Sequence, residues 1–158
     1  MTTNLELIGK KLIHLHRMRS YLDYSARHIQ GTLPIQDWQA LTDSQHEALA
    51  AFRVRFSEYQ EHIGKLMRAV TREEEHEVEP FSQVLVYMEK LGVLPSVSRW
   101  KELRELRNAI NHDYEDDSTR LSAFFVALHA AVSELNDMHQ ALAQFCAHTY
   151  QTEQQANP

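Results

Sequence analysis

Apolar side chains recur along this chain at steps of three and four almost without interruption, the spacing of one face of an α-helix. Leu5, Ile8, Leu12, Leu15, Met18 or Arg19, Leu22, Ser25 and Ile29 predict a first helix from about residue 4 to about 30, stopped by Gly31 and Pro34. A loop carrying Trp38 follows. Ser44 with Glu47 three residues later has the pattern of a capping box, in which each side chain satisfies a backbone donor of the first turn. Leu49, Phe52, Phe56, Tyr59, Ile63, Leu66 and Val70 then predict a long second helix to about 71. After an acidic stretch, Phe81, Val84, Leu85, Met88 and Leu91 predict a short third helix that Gly92 closes. Pro95-Ser96-Val97-Ser98 opens a fourth, with Trp100, Leu103, Leu106 and Ile110 on its apolar face. Asp116, Asp117 and Ser118 precede a last long helix in which Leu121, Phe124, Phe125, Leu128, Val132, Leu135, Met138, Leu142 and Phe145 recur at helical spacing. No strand-like alternation and no internal repeat interrupts this pattern. The expected fold is all-α, an up-and-down bundle of four to five helices forming one domain over residues 1–150, with a disordered tail over 151–158.

Composition agrees. Only 4 Gly and 4 Pro occur in 158 residues, too few for the turns of a many-stranded fold. No apolar run approaches the roughly 18 residues that a membrane span needs, and the N-terminus lacks the layout of a signal peptide, so the expected location is the cytoplasm without membrane attachment. The single cysteine, Cys146, lies among Leu142 and Phe145 and reads as a buried thiol. A net charge of −6 has the wrong sign for a protein that coats nucleic acid non-specifically, although a local basic site is compatible with it. The acids are clumped, at Glu73, Glu74, Glu75, Glu77 and Glu79 and again at Asp113, Glu115, Asp116 and Asp117. Both runs read as solvated helix ends or linkers. The second abuts His112, where carboxylates favour the imidazolium form and oppose an approaching polyanion.

Phosphate-cradling GxxxxGK(S/T), GxGxxG, paired CxxC and HExxH patterns are absent. Ten histidines raise the question of a metal, but His14 and His16 are two apart and leave a helix on nearly opposite sides. Glu73 and His76 make a single Glu-x-x-His, where a di-metal carboxylate bundle uses two. No metal and no cofactor is expected. The polar cluster that stands out is on the fourth helix. At 100° per residue Arg104, Arg107, Asn108 and Asn111 share a patch beside the apolar stripe, with His112 close to Asn108. Arginine suits phosphate because its planar donors engage two oxygens at once, and histidine suits proton transfer near neutrality. Arg107 and His112 are five apart and diverge by about 140° on one helix, so a two-fold axis beside this helix is needed to bring arginine and imidazole of two copies to one phosphate. The cluster therefore points to a homodimer with a composite site.

At these residues the chain resembles the HEPN superfamily, and within it the HepT-type toxins that pair with MNT-type minimal nucleotidyltransferases. The family's R-x-x-x-x-H-x-Y signature is matched by Arg107, His112 and Tyr114, with Asn108 as the polar residue after the arginine. The approach LGVLPSVSRWKELRELRN and the helix AFRVRFSEYQEHIGKLMRA are similar to the family's corresponding segments, extending the resemblance over about 44–125. It implies a homodimeric helical bundle whose two motifs line a cleft, and a metal-independent endoribonuclease in which the ribose 2′-OH attacks the adjacent phosphate. By the same resemblance, Arg107 holds the scissile phosphate, His112 serves as general base or acid, and Asn108 orients His112 or the phosphate. Arg104 and Asn111 are supporting residues. Tyr114 is the position that a cognate nucleotidyltransferase antitoxin modifies with AMP, as in a type VII-like toxin–antitoxin pair. Two other readings fit the same residues. One is a HEPN module that binds a nucleotide, or a nucleotidyltransferase, without cutting; the other is a helical interaction protein whose fourth helix is merely solvated.

Overall fold

The computed structural model of the protein describes residues 1–109 and 116–150. Among them are five α-helices and no strand: α1 (Asn4–Ile29), α2 (Asp43–Glu73), α3 (Phe81–Lys90), α4 (Val97–Arg107) and α5 (Ser118–Tyr150). Each begins where the chain supplies an acceptor for its first backbone donors or a stop to what precedes it. Thr3 accepts from the Glu6 N–H at the start of α1, and Ser96 from the Arg99 N–H at the start of α4. The capping box of α2 lies two residues before the expected one. Thr42 accepts from the Gln45 N–H while the Gln45 side chain accepts from the Thr42 N–H, because Gln at the third helical position reaches back as well as Glu does.

Two helix ends close in the same way with different residues. At the end of α3 the Val93 N–H reaches the Met88 carbonyl while Gly92 takes φ +78°. At the end of α2 the His76 N–H reaches the Thr71 carbonyl while Glu75 takes φ 60°, the left-handed conformation that glycine adopts without steric cost. The acidic run that follows α2 is only partly solvated. Glu73 accepts from the Asn4 amide at 2.9 Å and Glu74 from the Tyr150 hydroxyl at 2.6 Å, tying the first turn of α1 and the last of α5 to the end of α2.

Side-chain pairs give the direction of each helix. Asn4 meets Ala69 and Arg55 meets Ser25, so α1 and α2 are antiparallel. The Phe52 ring lies near His129 and Tyr59 bonds Asn136 and His139, so α5 runs parallel to α2. Trp100 meets Gln60 and Arg107 meets Ser57, so α4 returns antiparallel along α2. Short α3 lies between them, with Phe81 against Gly64 and Arg68. The α2 stripe from Leu49 to Val70 is wholly buried and forms the centre of the core with α1 and α5. Leu5, expected on the α1 stripe, is 43% exposed, because the buried face of α1 starts one turn later at Ile8. The α1–α2 connection is pinned to the start of α5: Ser122 and Ser118 hydroxyls accept from the Ile35 and Trp38 N–H groups, and the Trp38 ring stacks on Phe125.

Cys146 is fully buried on α5, where desolvation, with the charge of Glu74 adding to it, pushes its thiol up to about 12. It is a packing residue and has almost no thiolate at neutral pH.

Candidate functional site

The C-terminal half of α4 carries leucines toward the core at Leu103 and Leu106, so Arg104 and Arg107 fall on the flank that faces α2. The Arg107 guanidinium reaches across and its Nη1 donates to the Ser57 carbonyl on α2 at 2.6 Å. That bond fixes the direction of the fork, and burial draws the guanidinium below its ordinary range. Glu61 pushes the other way, and like-charged Arg104 adds to the depression. The Nε of Arg107 is buried without an acceptor among the described residues.

Arg104 and Arg107 line one pocket of about 330 Å³ together with Glu61, Gly64, Lys65 and Arg68 from α2, Phe81 from α3 and Trp100. Glu61, Lys65 and Arg68 were not singled out from the pattern. They occupy steps of four and three on α2 immediately beside the buried Ile63 and Leu66, a charged strip whose importance depends on which helix crosses there. Arg68 lies over the Phe81 ring, 5.3 Å from its centroid, and makes a loose pair with exposed Glu79 at 3.7 Å. Its Nε also has no acceptor among the described residues. Beyond Lys65 a second hollow of about 220 Å³ is lined by Lys10, Lys11, His14 and His62. Burial and then the charge of Lys65 lower the Lys11 ammonium, and the same causes, with His14 and Lys11 following, lower His62.

The sequence-derived site is therefore partly assembled. Arg104 and Arg107 are brought together. Asn108 caps α4 with its N–H on the Glu105 and Leu106 carbonyls and is exposed at the helix end, outside the pocket lining. Asn111, His112 and Tyr114 lie outside the described residues, as do Asp113 and Glu115. Glu73 and His76 do not converge: Glu73 bonds Asn4, while the His76 ring stacks on Tyr87 at 4.1 Å. Among the described residues no group of three or more His, Cys, Asp or Glu side chains is placed to hold a metal ion, and no helix is long and apolar enough to cross a membrane.

A second polar cluster is buried on the opposite side of α2. Tyr59 sits between Asn136 at 3.0 Å and the Nδ1 of His139 at 2.7 Å, and the Asn136 amide donates to Asp23 at 3.0 Å. Asp23 in turn faces Arg19 at 3.7 Å. The phenol has one proton, so all bonds are satisfied only if His139 Nδ1–H donates to Tyr59 and Tyr59 donates to Asn136. Desolvation, then the charges of Arg19 and His16, hold His139 down to about 4, so it is neutral, as this donor chain requires. Tyr59 and His139 are buried, while Asn136 and Asp23 are half-buried. The chain of bonds is a structural network between α1, α2 and α5.

Comparison with protein-family models, curated proteins and solved structures finds no match to this chain.

Proposed function

We propose that this protein is a HEPN-like, HepT-type toxin: a homodimeric, metal-independent endoribonuclease neutralised by an MNT-type nucleotidyltransferase that modifies Tyr114 with AMP. The observation that carries the reading is the convergence of Arg104 and Arg107 on a cationic pocket at the end of α4, four residues before the Asn111-His112-Asp113-Tyr114 segment of the matching motif. Arg107 retains donors beyond the one committed to Ser57, enough for one phosphate oxygen pair.

In the proposed reaction the 2′-oxygen attacks the adjacent phosphorus while one His112 imidazole takes its proton. The bond to the 5′-oxygen breaks as the His112 of the second protomer delivers a proton to it, leaving a 2′,3′-cyclic phosphate and a 5′-hydroxyl. Arg107 neutralises the charge that grows on the non-bridging oxygens. An AMP group on Tyr114 would place bulk and negative charge two residues from His112 and compete for the same arginine.

The test is expression of the intact chain in a growth assay, paired with incubation of purified protein with RNA in the presence of a chelator. Arg107→Ala and His112→Ala are each expected to relieve growth arrest and abolish cleavage with the fold retained by circular dichroism. Arrest that survives both changes overturns the reading. The Ser57 tether favours a second reading, a non-catalytic HEPN module that binds a nucleotide or its nucleotidyltransferase, because it commits part of the Arg107 fork internally. Nucleotide binding without cleavage of any RNA supports that alternative.

A further inference from the structure

The pocket between α2, α3 and α4 holds more positive charge than the proposed reaction uses. Lys65 and Arg68 belong to α2, outside the motif, yet they face the same space as Arg104 and Arg107 with Glu61 as the single carboxylate of the lining. In a chain whose overall charge is −6, this is a local reversal of sign. Two guanidinium Nε donors, on Arg68 and Arg107, are buried and lack acceptors among the described residues. Such donors cost stability unless a partner arrives. The volume, about 330 Å³, is larger than a phosphate alone needs and lies at the lower end of the range for small-molecule sites, roughly 300–1,000 Å³.

We propose that this pocket is a phosphate subsite that holds the backbone of a bound polynucleotide beside the Arg107–His112 motif, with Lys65 and Arg68 as its dedicated ligands. Only the position of the cut rests on the ribonuclease reading; phosphate binding at the pocket does not. The Arg68 Cζ lies over the Phe81 ring, 5.3 Å from its centroid, a contact that favours the guanidinium staying at the pocket wall. Arg107 lines the same pocket and joins this subsite to the motif. Lys65 lines the pocket and also acts on Lys11 and His62 of the neighbouring hollow, so positive surface continues from the pocket onto α1. A phosphate entering here offsets the burial that lowers Arg107 and the smaller repulsion from Arg104.

The experiment is fluorescence anisotropy of the intact protein with a short oligouridylate carrying 2′-O-methyl groups, which binds without supplying a nucleophile. Lys65→Gln with Arg68→Gln is expected to weaken binding about tenfold or more and to flatten the dependence of log affinity on log salt by roughly one. Lys65 is exposed, so Lys65→Glu alone tests the same point without threatening the fold and is expected to weaken binding at least as much. Unchanged affinity and salt slope in both variants overturn the proposal. Inorganic phosphate and uridine monophosphate form the second arm: if either binds as tightly as the oligomer, the ligand is a free phosphate and the backbone assignment fails. Unmodified RNA separates the two readings. If no RNA is cut while the oligomer still binds through Lys65 and Arg68, the ribonuclease reading falls and the subsite stands. Cleavage by the wild type with binding indifferent to both variants removes the subsite alone.

Discussion

Helix α2 carries two polar clusters about one turn apart, and they are built on opposite principles. On the α5 side, Tyr59, Asn136, Asp23 and His139 form a directed chain in which every donor has an acceptor. On the α4 side, Lys65, Arg68, Arg104 and Arg107 line a pocket with Glu61 as its one carboxylate, Glu79 pairs loosely with Arg68 from outside the lining, and two of the buried guanidinium nitrogens have no acceptor among the described residues. Folding alone accounts for the first cluster, since a buried phenol and imidazole are tolerable only when satisfied. It does not account for the second, because assembling like charges opposes folding. The contrast separates polar residues that hold helices together from those that wait for a ligand.

The contrast is sharpest in its dependence on pH. His139 ordinarily titrates near 6.5 and in the folded protein near 4, so as pH falls the unfolded chain takes up the proton first. Its stabilising contribution is complete above about pH 6.5 and is lost as pH drops toward 4, by about 3 kcal/mol if no relaxation intervenes. Urea unfolding of wild type and His139→Gln at both ends of that window isolates the effect from the carboxylates. Equal losses in the two proteins would show that the network does not depend on a neutral imidazole. The next largest effect is Tyr59→Phe, which keeps the ring but strands the His139 donor and the Asn136 acceptor; we expect about 1–3 kcal/mol of destabilisation by the same measurement.

How much of this was legible beforehand follows from what a helical pattern encodes. It states which face of a helix turns inward, and the α2 stripe from Leu49 to Val70 is buried as its spacing implies. Within α4, 100° per residue places Arg104 and Arg107 on one flank, and the pocket has them together. It does not state which residues of two helices meet. Tyr59 reads as one more apolar position, and its partners lie 77 and 80 residues away on α5. Likewise Glu61, Lys65 and Arg68 read as solvated charges until α4 is known to cross α2 antiparallel, with Trp100 over Gly64. The shift of the α2 cap from Ser44 to Thr42 has a local cause, since either residue has a Glu or Gln three places on, and the reciprocal bonds form at Thr42–Gln45.

Gly64 offers a smaller test, at the wall of the pocket itself. A methyl group there would lie 3.5 Å from both Phe81 and Trp100, ordinary van der Waals contact. Alanine also removes the penalty of glycine inside a helix, so Gly64→Ala is expected to stabilise the protein by about 0.5–1 kcal/mol in urea unfolding. Destabilisation would mean that the crossing of α4 over α2 is already as close as the backbone allows, and that the pocket owes its shape to the glycine.

The smallest expected effect decides the comparison. If Lys65 and Arg104 serve a ligand and not the fold, Lys65→Gln and Arg104→Gln should each change stability by no more than about 0.5 kcal/mol, with the sign toward stabilisation. The direction follows from their neighbours: Lys65 depresses Lys11 and His62, Arg104 depresses Arg107, and removing either charge relieves that repulsion. Both side chains are exposed, so little packing is lost with them. Thermal unfolding at low ionic strength, where surface charges are least screened, is the sensitive measurement, and added salt should shrink the difference. A loss of more than about 1 kcal/mol in either variant would place these residues with the Tyr59 network, as parts of the fold. The excess charge around the pocket would then need no ligand to explain it.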